Sequence, residues 1–398
     1  MIIVITNRKL ASIPVFQPVL TDLASLGDGL GERHNNEDII YSGILSDDNK
    51  VNFLPKGSEA DFFSSIDSVE LNKPWVFFVH GFNQDPQSNI DKARALSANH
   101  GVNVIAFAWP SRPVDETMGW DDAGKSIAKG VLKSLSGTAI LYDLLLLKAT
   151  RFVKDKWKNY PPAIRNAEES NTDLIAALNL IKDQLNITKP LVLLVHSMGN
   201  YLLQKALEGV DKLPNEFGNI ILHQADATSP GFEWVKKLNA NLNLNSQNQP
   251  AKLYITVNVP DFVLGASTLR RAILLKDKVE RIGQVRKNHV KGNIHYLDFT
   301  DGEWVDNEHE FFHLAKDNTN DDIYDCLDRI LKSMPDELPV NKSESKSGFS
   351  RMPADVSLYR LEYIIHPADE DEPIEDILPV KSLDLFNQQH IDRTDYDD

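Results

Sequence analysis

The chain has 398 residues, 42% of them hydrophobic and 25% charged, with a formal net charge of -16. That length accommodates one large domain with additions or two domains, and the acidic excess argues against nucleic acid and anionic membrane surfaces as main partners. The single cysteine, Cys326, excludes an intramolecular disulfide and any cysteine-based metal cluster, and it fits a reducing compartment and core packing on a late helix.

The opening run MIIVITNRKL places apolar residues ahead of basic ones, the reverse of a signal peptide. It predicts a first strand over Ile2–Thr6, and the expected location is cytoplasmic. A second strand-like piece covers Asp38–Tyr41, so residues 1–72 read as a partly stranded N-terminal extension at one edge of a sheet. From Pro74 to Met334, buried-strand runs alternate with helix-period segments, the signature of a doubly wound, mostly parallel sheet, and 73–334 is the expected core.

In chain order, the first core strand is predicted at Trp75–Val79, followed by a helix over Asp91–Asn99 and a strand over Val102–Ala108. Residues 111–170 form a longer insertion that carries the apolar segment Thr138–Leu147. Placed after a strand's C-terminal end, a helical cap there would roof the edge at which such sheets bind ligands; an ordinary packed helix pair is the alternative. A helix over Asp173–Leu185, capped by Asn171 or Thr172, precedes a strand over Leu191–Val195 and a helix over Tyr201–Glu208. Strands over Ile220–His223, Leu253–Asn258 and Ile294–Phe299 follow, and a helix over Asp321–Ser333 closes the series.

Beyond Met334 the composition turns to Pro, Ser, Lys and acid, and His366 to Asp398 carry eleven Asp or Glu against two Lys or Arg. Residues 335–398 therefore read as a solvated acidic tail or a segment for a protein partner, interrupted by one strand-like run, Tyr359–Ile365. No stretch approaches the roughly 20 apolar residues that span a bilayer.

The most informative stretch is Leu191 to Asn200, LVLLVHSMGN. A short apolar run followed abruptly by small and polar residues predicts a strand-to-helix turn with the Ser197 hydroxyl exposed above the sheet. The pattern is G-x-S-x-G with Val195 in place of the first glycine, which predicts a slightly wider packing distance there. The alternative role for Ser197 is to cap a buried helix.

A serine alkoxide needs a base, a carboxylate to orient that base, and fixed donors for the oxyanion. Upstream, His80-Gly81-Phe82 follows the first core strand, and the Phe82 and Met198 N–H groups form the expected oxyanion pair; His80, Gly81, Trp109 and His196 are substrate-pocket candidates. Two aspartates sit just past strand ends, Asp226 and Asp261. Asp261 is favoured as the acid, since its strand is the second after the serine's, and Asp226 is assigned to shaping the neighbouring loop. Among the later histidines, His295 falls within a strand, His366 and His390 lie in the acidic tail, and His289 precedes the last strand. His309 lies in the loop after that strand, where a base reaches back over the sheet edge.

The ordered set VFFVHGFN, AFAWPSRP, LVLLVHSMGN, NVPDFVLGAS and NEHEFF resembles a group of bacterial α/β-hydrolases of uncharacterised function, over about Lys73 to Phe312. The resemblance implies a three-layer α/β-hydrolase fold and a serine hydrolase of esterase or lipase type. It matches Ser197 to the nucleophile, Asp261 to the acid and His309 to the base. Pro260, Phe262 and Glu308 depart from the group's common residues. The expected substrate is a small-molecule or lipid-like acyl ester, with no cofactor and no metal. Two other readings are a non-catalytic α/β-hydrolase scaffold used for binding, and a zinc hydrolase built on His309-Glu310-x-x-His313, which satisfies H-E-x-x-H.

Overall fold

The computed structural model describes residues 1–27, 29–31, 40–112, 160–228, 233–259, 261, 263–265, 267, 281–284, 293–300, 305, 309–316, 321–334, 347–351 and 358–363. Among these residues twelve strands form one sheet: β1 (Ile2–Thr6), β2 (Val19–Asp22), β3 (Tyr41–Leu45), β4 (Lys50–Phe53), β5 (Trp75–Val79), β6 (Asn103–Ala108), β7 (Val192–His196), β8 (Asn219–His223), β9 (Lys252–Val257), β10 (Ile294–Asp298), β11 (Ser347–Arg351) and β12 (Leu358–Tyr363). Their spatial order is β11-β12-β10-β9-β8-β7-β5-β6-β1-β3-β4-β2. From β12 to β1 every pairing is parallel. Antiparallel strands close both ends.

The helices used below are α1 (Glu59–Ser64), α2 (Ser68–Leu71), α3 (Pro86–His100), α4 (Tyr160–Glu169), α5 (Asn171–Gln184), α6 (Gly199–Glu208), α7 (Glu233–Lys237) and α8 (Asp321–Leu331). Alternate residues of the central strands feed two cores. Phe77, Val79, Leu193 and Val195 pack with residues of α4, α5, α6 and α7. Val76, Phe78, Val192 and Leu194 pack with Ile90 and Leu96 of α3 and Ile323 and Leu327 of α8. A sheet covered on both faces makes three layers, and each fully buried Val, Leu or Phe contributes about 1.5–3 kcal/mol of transfer free energy. Cys326 is buried in the second core.

Several boundaries differ from the sequence expectations. α3 begins at Pro86 rather than Asp91, because Asp85 caps it by accepting from the Ser88 N–H at 2.7 Å and Pro86 is preset for the first helical turn. The residue preceding α5 is Ser170, not Asn171 or Thr172, and its hydroxyl instead accepts from Asn7 at 2.8 Å. The strand expected over Asp38–Tyr41 corresponds to β3, which runs Tyr41–Leu45, residues 38–39 lying outside the described ones, and β2 (Val19–Asp22) was not expected. In the tail, Leu358–Tyr363 pairs in parallel with β10. The apolar segment Thr138–Leu147, and His289, His366 and His390, lie outside the described residues. Among the described residues no helix is long and apolar enough to cross a membrane.

The chain runs from β5 outward to β6, then returns to lay β7 on the other side of β5. That reversal opens a crevice beyond the C-terminal ends of β5 and β7, the usual ligand position in such sheets. The turns carrying Phe82 and Ser197 leave these two strands.

Candidate active site

Ser197 follows β7 with φ of 51°, a left-handed conformation that costs a residue with a Cβ about 1–2 kcal/mol. Surrounding bonds hold it there. Its N–H donates to the His223 carbonyl at 3.0 Å, and its own carbonyl accepts from the Asp226 N–H at 3.1 Å. Asn200 Nδ2 donates to the carbonyls of Val195 at 3.0 Å and Ser197 at 3.1 Å. Asn83 after β5 (φ 59°) and Gln224 after β8 (φ 42°) are also left-handed.

Two glycines permit the close approach. A Cβ on Gly81 would lie 2.6 Å from the Ser197 Cβ, and one on Gly199 would lie 2.7 Å from the His80 carbonyl oxygen. Val195 is fully buried in register with Val79 and Leu222, within the strand. α6 starts at Gly199, two residues ahead of the expected Tyr201, with Met198 as its N-cap residue. The Met198 peptide therefore sits at a helix N-terminus, where the backbone favours negative charge.

The structure brings Asp261 and His309 together. His309 Nδ1 donates to Asp261 Oδ2 at 2.6 Å, and Asp261 Oδ1 accepts from the Leu264 N–H at 3.0 Å. His309 Nε2 is buried and has no hydrogen-bond partner among the described residues. Burial alone would lower the imidazole pKa; the Asp261 charge and hydrogen bond, helped by Glu310 and Asp226, outweigh burial and raise it above the ordinary 6.5. The neighbouring His196, one residue before Ser197, donates Nε2–H to the His309 carbonyl at 3.2 Å, with ring centroids 4.8 Å apart.

Asp226 is engaged elsewhere. Its carboxylate accepts from Ser267 Oγ at 2.7 Å and Tyr160 Oη at 3.2 Å, and lies 3.1 Å from Arg281 Nε. Of the substrate-pocket candidates, His80 and Trp109 are fully buried and stack on each other at 5.5 Å, with Trp109 Nε1–H donating to the His80 carbonyl at 2.9 Å. They brace the Gly81-Phe82 turn from behind. Gly81 and His196 stand next to Ser197; a Cβ on Gly81 would meet His196 Nδ1 at 3.2 Å.

Residues 309–313 are not helical, so His309 and His313 are not stacked one helical turn apart as a helical zinc motif requires. Glu310 instead pairs with Lys92 of α3 at 2.7 Å, and Lys92 also donates to Gln84 at 2.6 Å. Asn99 Nδ2 donates to the His313 carbonyl at 2.8 Å. α3 thus clasps the histidine loop against the sheet. From the N-terminal side, the buried Arg8 donates to the carbonyls of Gln84 at 3.0 Å and Trp109 at 2.9 Å. The sequence offered no local signal for Arg8 or Lys92, since each acts on a partner far along the chain.

Burial pushes the His80 imidazole down to about 3, with the Arg8 charge adding to the effect. His196 and His223 are also held well below 6.5, first by burial and then by the positive field of His309. These neutral rings bind a proton only when the chain unfolds. Their contribution to stability is complete above pH 6.5 and is lost as pH falls toward the folded value. At pH 5 the His80 term alone should lower unfolding free energy by about 2 kcal/mol relative to pH 7.5. Urea denaturation at the two pH values measures it, and an unchanged midpoint would contradict the buried neutral assignment.

The family described as alpha/beta hydrolase of unknown function (DUF900) matches residues 58–306, more than half of the chain. No curated protein matches. Among solved structures, an inhibited esterase B from Lactobacillus rhamnosis is 12% identical, with 81% of this chain and 89% of that one covered and a TM-score of 0.30. A second structure of esterase B, from Lactobacillus rhamnosis (HN001), is 12% identical over 80% and 89%, also with a TM-score of 0.30. With its matched span running from α1 past β10, this chain belongs to the alpha/beta hydrolase family of unknown function.

Proposed function

We propose that the chain is a serine hydrolase that cleaves carboxylic esters through an acyl-enzyme on Ser197. One observation carries the reading: a serine held left-handed at the switch point of the sheet, next in sequence to His196, whose ring packs 4.8 Å from a buried histidine with its Nδ1 committed to a carboxylate.

In this reading His309 Nε2 takes the Ser197 hydroxyl proton as Oγ attacks the carbonyl carbon, and Asp261 fixes the ring and stabilises the imidazolium. The oxyanion is received by the Phe82 and Met198 N–H groups, where loss of one donor typically costs about 3–4 kcal/mol of transition-state stabilisation. His309 then returns the proton to the departing alcohol. Water, activated by the same histidine, releases the acid and regenerates Ser197.

A fluorophosphonate probe tests this directly. The expected product is a single adduct on the tryptic peptide containing Ser197, together with p-nitrophenyl butyrate hydrolysis that resists a chelator. A protein that takes no label and cleaves no ester would be a binding scaffold, and activity lost to the chelator would return the metal reading.

A further inference from the structure

We infer that Arg281, paired with Asp226 beside the Ser197 turn, is the anchor for an anionic group on the acyl part of the substrate. The esters would then be half-esters of a dicarboxylic acid or similar charged acyl compounds. The inference rests on the ester-hydrolase reading for its reaction and on independent residues for its binding.

Arg281 is fully buried. A guanidinium carries five N–H donors, and a buried one is expected to have them matched by acceptors. Among the described residues its charge partner is Asp226, whose Oδ1 lies 3.1 Å from Nε, while Nη1 and Nη2 have no hydrogen-bond partner there. Asp226 cannot turn to serve them. Its Oδ1 also accepts from Ser267 at 2.7 Å and its Oδ2 from Tyr160 at 3.2 Å, and the Tyr160 and Ser267 oxygens lie 2.7 Å apart. The outer fork of the guanidinium is left with two parallel donors, the arrangement that receives a carboxylate in bidentate fashion.

The location ties this fork to the reaction edge. Residues 281–283 lie over the loop that follows β8: Arg281 bridges Thr228, Ile282 N–H donates to the Ala227 carbonyl at 3.1 Å, and Gly283 N–H to the Ala225 carbonyl at 3.1 Å. A Cβ on Gly283 would lie 2.6 Å from the Ala225 nitrogen, so the strip is wedged in place. On its other side the Asn258 N–H donates to the Gly283 carbonyl at 3.0 Å, and Gln284 Nε2 reaches the Asp261 carbonyl at 3.4 Å. The strip therefore runs between the loops of the two aspartates. Asp226 is one backbone hydrogen bond from the Ser197 peptide, and Tyr160 packs edge-on against the Phe82 ring at 5.2 Å. The polar cluster thus touches both the nucleophile turn and the oxyanion turn.

The test compares two six-carbon acyl esters, 4-methylumbelliferyl hydrogen adipate and 4-methylumbelliferyl hexanoate. A charge-assisted bond predicts a kcat/KM for the adipate at least about tenfold above that for the hexanoate. Arg281→Lys keeps the pairing charge but removes the fork, and it should cut that ratio by about tenfold. The Asp226→Asn, Arg281→Gln double variant, which buries no lone charge, should abolish the preference. Calorimetric titration of adipate dianion into the Ser197→Ala protein reads binding without turnover, and its heat should vanish in the Arg281→Lys background. Adipate binding without any ester cleavage would overturn the proposed reaction and leave this inference standing. Ser197-dependent cleavage of hexanoate with a ratio near one would overturn the inference alone and make Arg281 a structural ion pair. Neither binding nor cleavage would overturn both.

Discussion

Ser197→Ala is expected to lower kcat for p-nitrophenyl butyrate by about 10⁴–10⁶-fold while changing unfolding free energy by less than about 0.5 kcal/mol. The loss is large because no other group replaces Oγ, and what remains is the assistance of the oxyanion donors. Stability is spared because alanine keeps a Cβ, and so inherits the φ of 51° and its cost. Ser197→Gly separates the two effects. It should be equally inactive but about 1 kcal/mol more stable, since glycine adopts that conformation without strain. Steady-state hydrolysis and urea midpoints of the three proteins measure both terms. Retained turnover in the alanine variant would remove Ser197 from the chemistry, and a glycine variant no more stable than alanine would show that the turn is unstrained.

What was legible in the chain depended on whether the signal was local. β1 and β5 fall where the apolar runs Ile2–Thr6 and Trp75–Val79 place them. β7 is shifted by one residue at both ends and β8 starts one residue earlier than expected, because strands buried on both faces show no alternation to mark where they stop. α3 is longer than its apolar period: the first inward aliphatic is Ile90, four residues after Pro86, yet Asp85-Pro86 was a readable cap. Chemistry-bearing residues at strand ends were visible because turns are encoded nearby. The pairs that hold them were not. Arg8 reaches Gln84 and Trp109, Lys92 reaches Glu310, and Arg281 reaches Asp226, contacts that only the closed sheet creates. The H-E-x-x-H string shows the converse. Its glutamate serves an ion pair to α3 and its first histidine faces Asp261, so a local pattern was overruled by tertiary context.

Asp261→Asn should lower kcat by about 10⁴-fold and move the pH profile to the acid side. With Asp261 in place, the His309 imidazole titrates above its ordinary 6.5, and only its neutral form accepts the serine proton. Wild-type kcat/KM should therefore rise with pH through a midpoint above 6.5. An asparagine removes the charge and the hydrogen bond that raise the imidazole, so burial prevails and the residual activity should reach its plateau at lower pH. The rate falls regardless of pH, because an asparagine amide facing Nδ1 favours the tautomer with the proton on Nε2, where it blocks acceptance from Ser197. Asp226 also raises His309, but only through space, and its oxygens are held by Ser267, Tyr160 and Arg281. Asp226→Asn should thus shift the midpoint in the same direction by less and cost far less rate. Profiles of kcat/KM against pH for the two variants decide the assignment: a larger loss at Asp226 would make it the operative acid, and an unmoved midpoint in Asp261→Asn would detach the profile from His309.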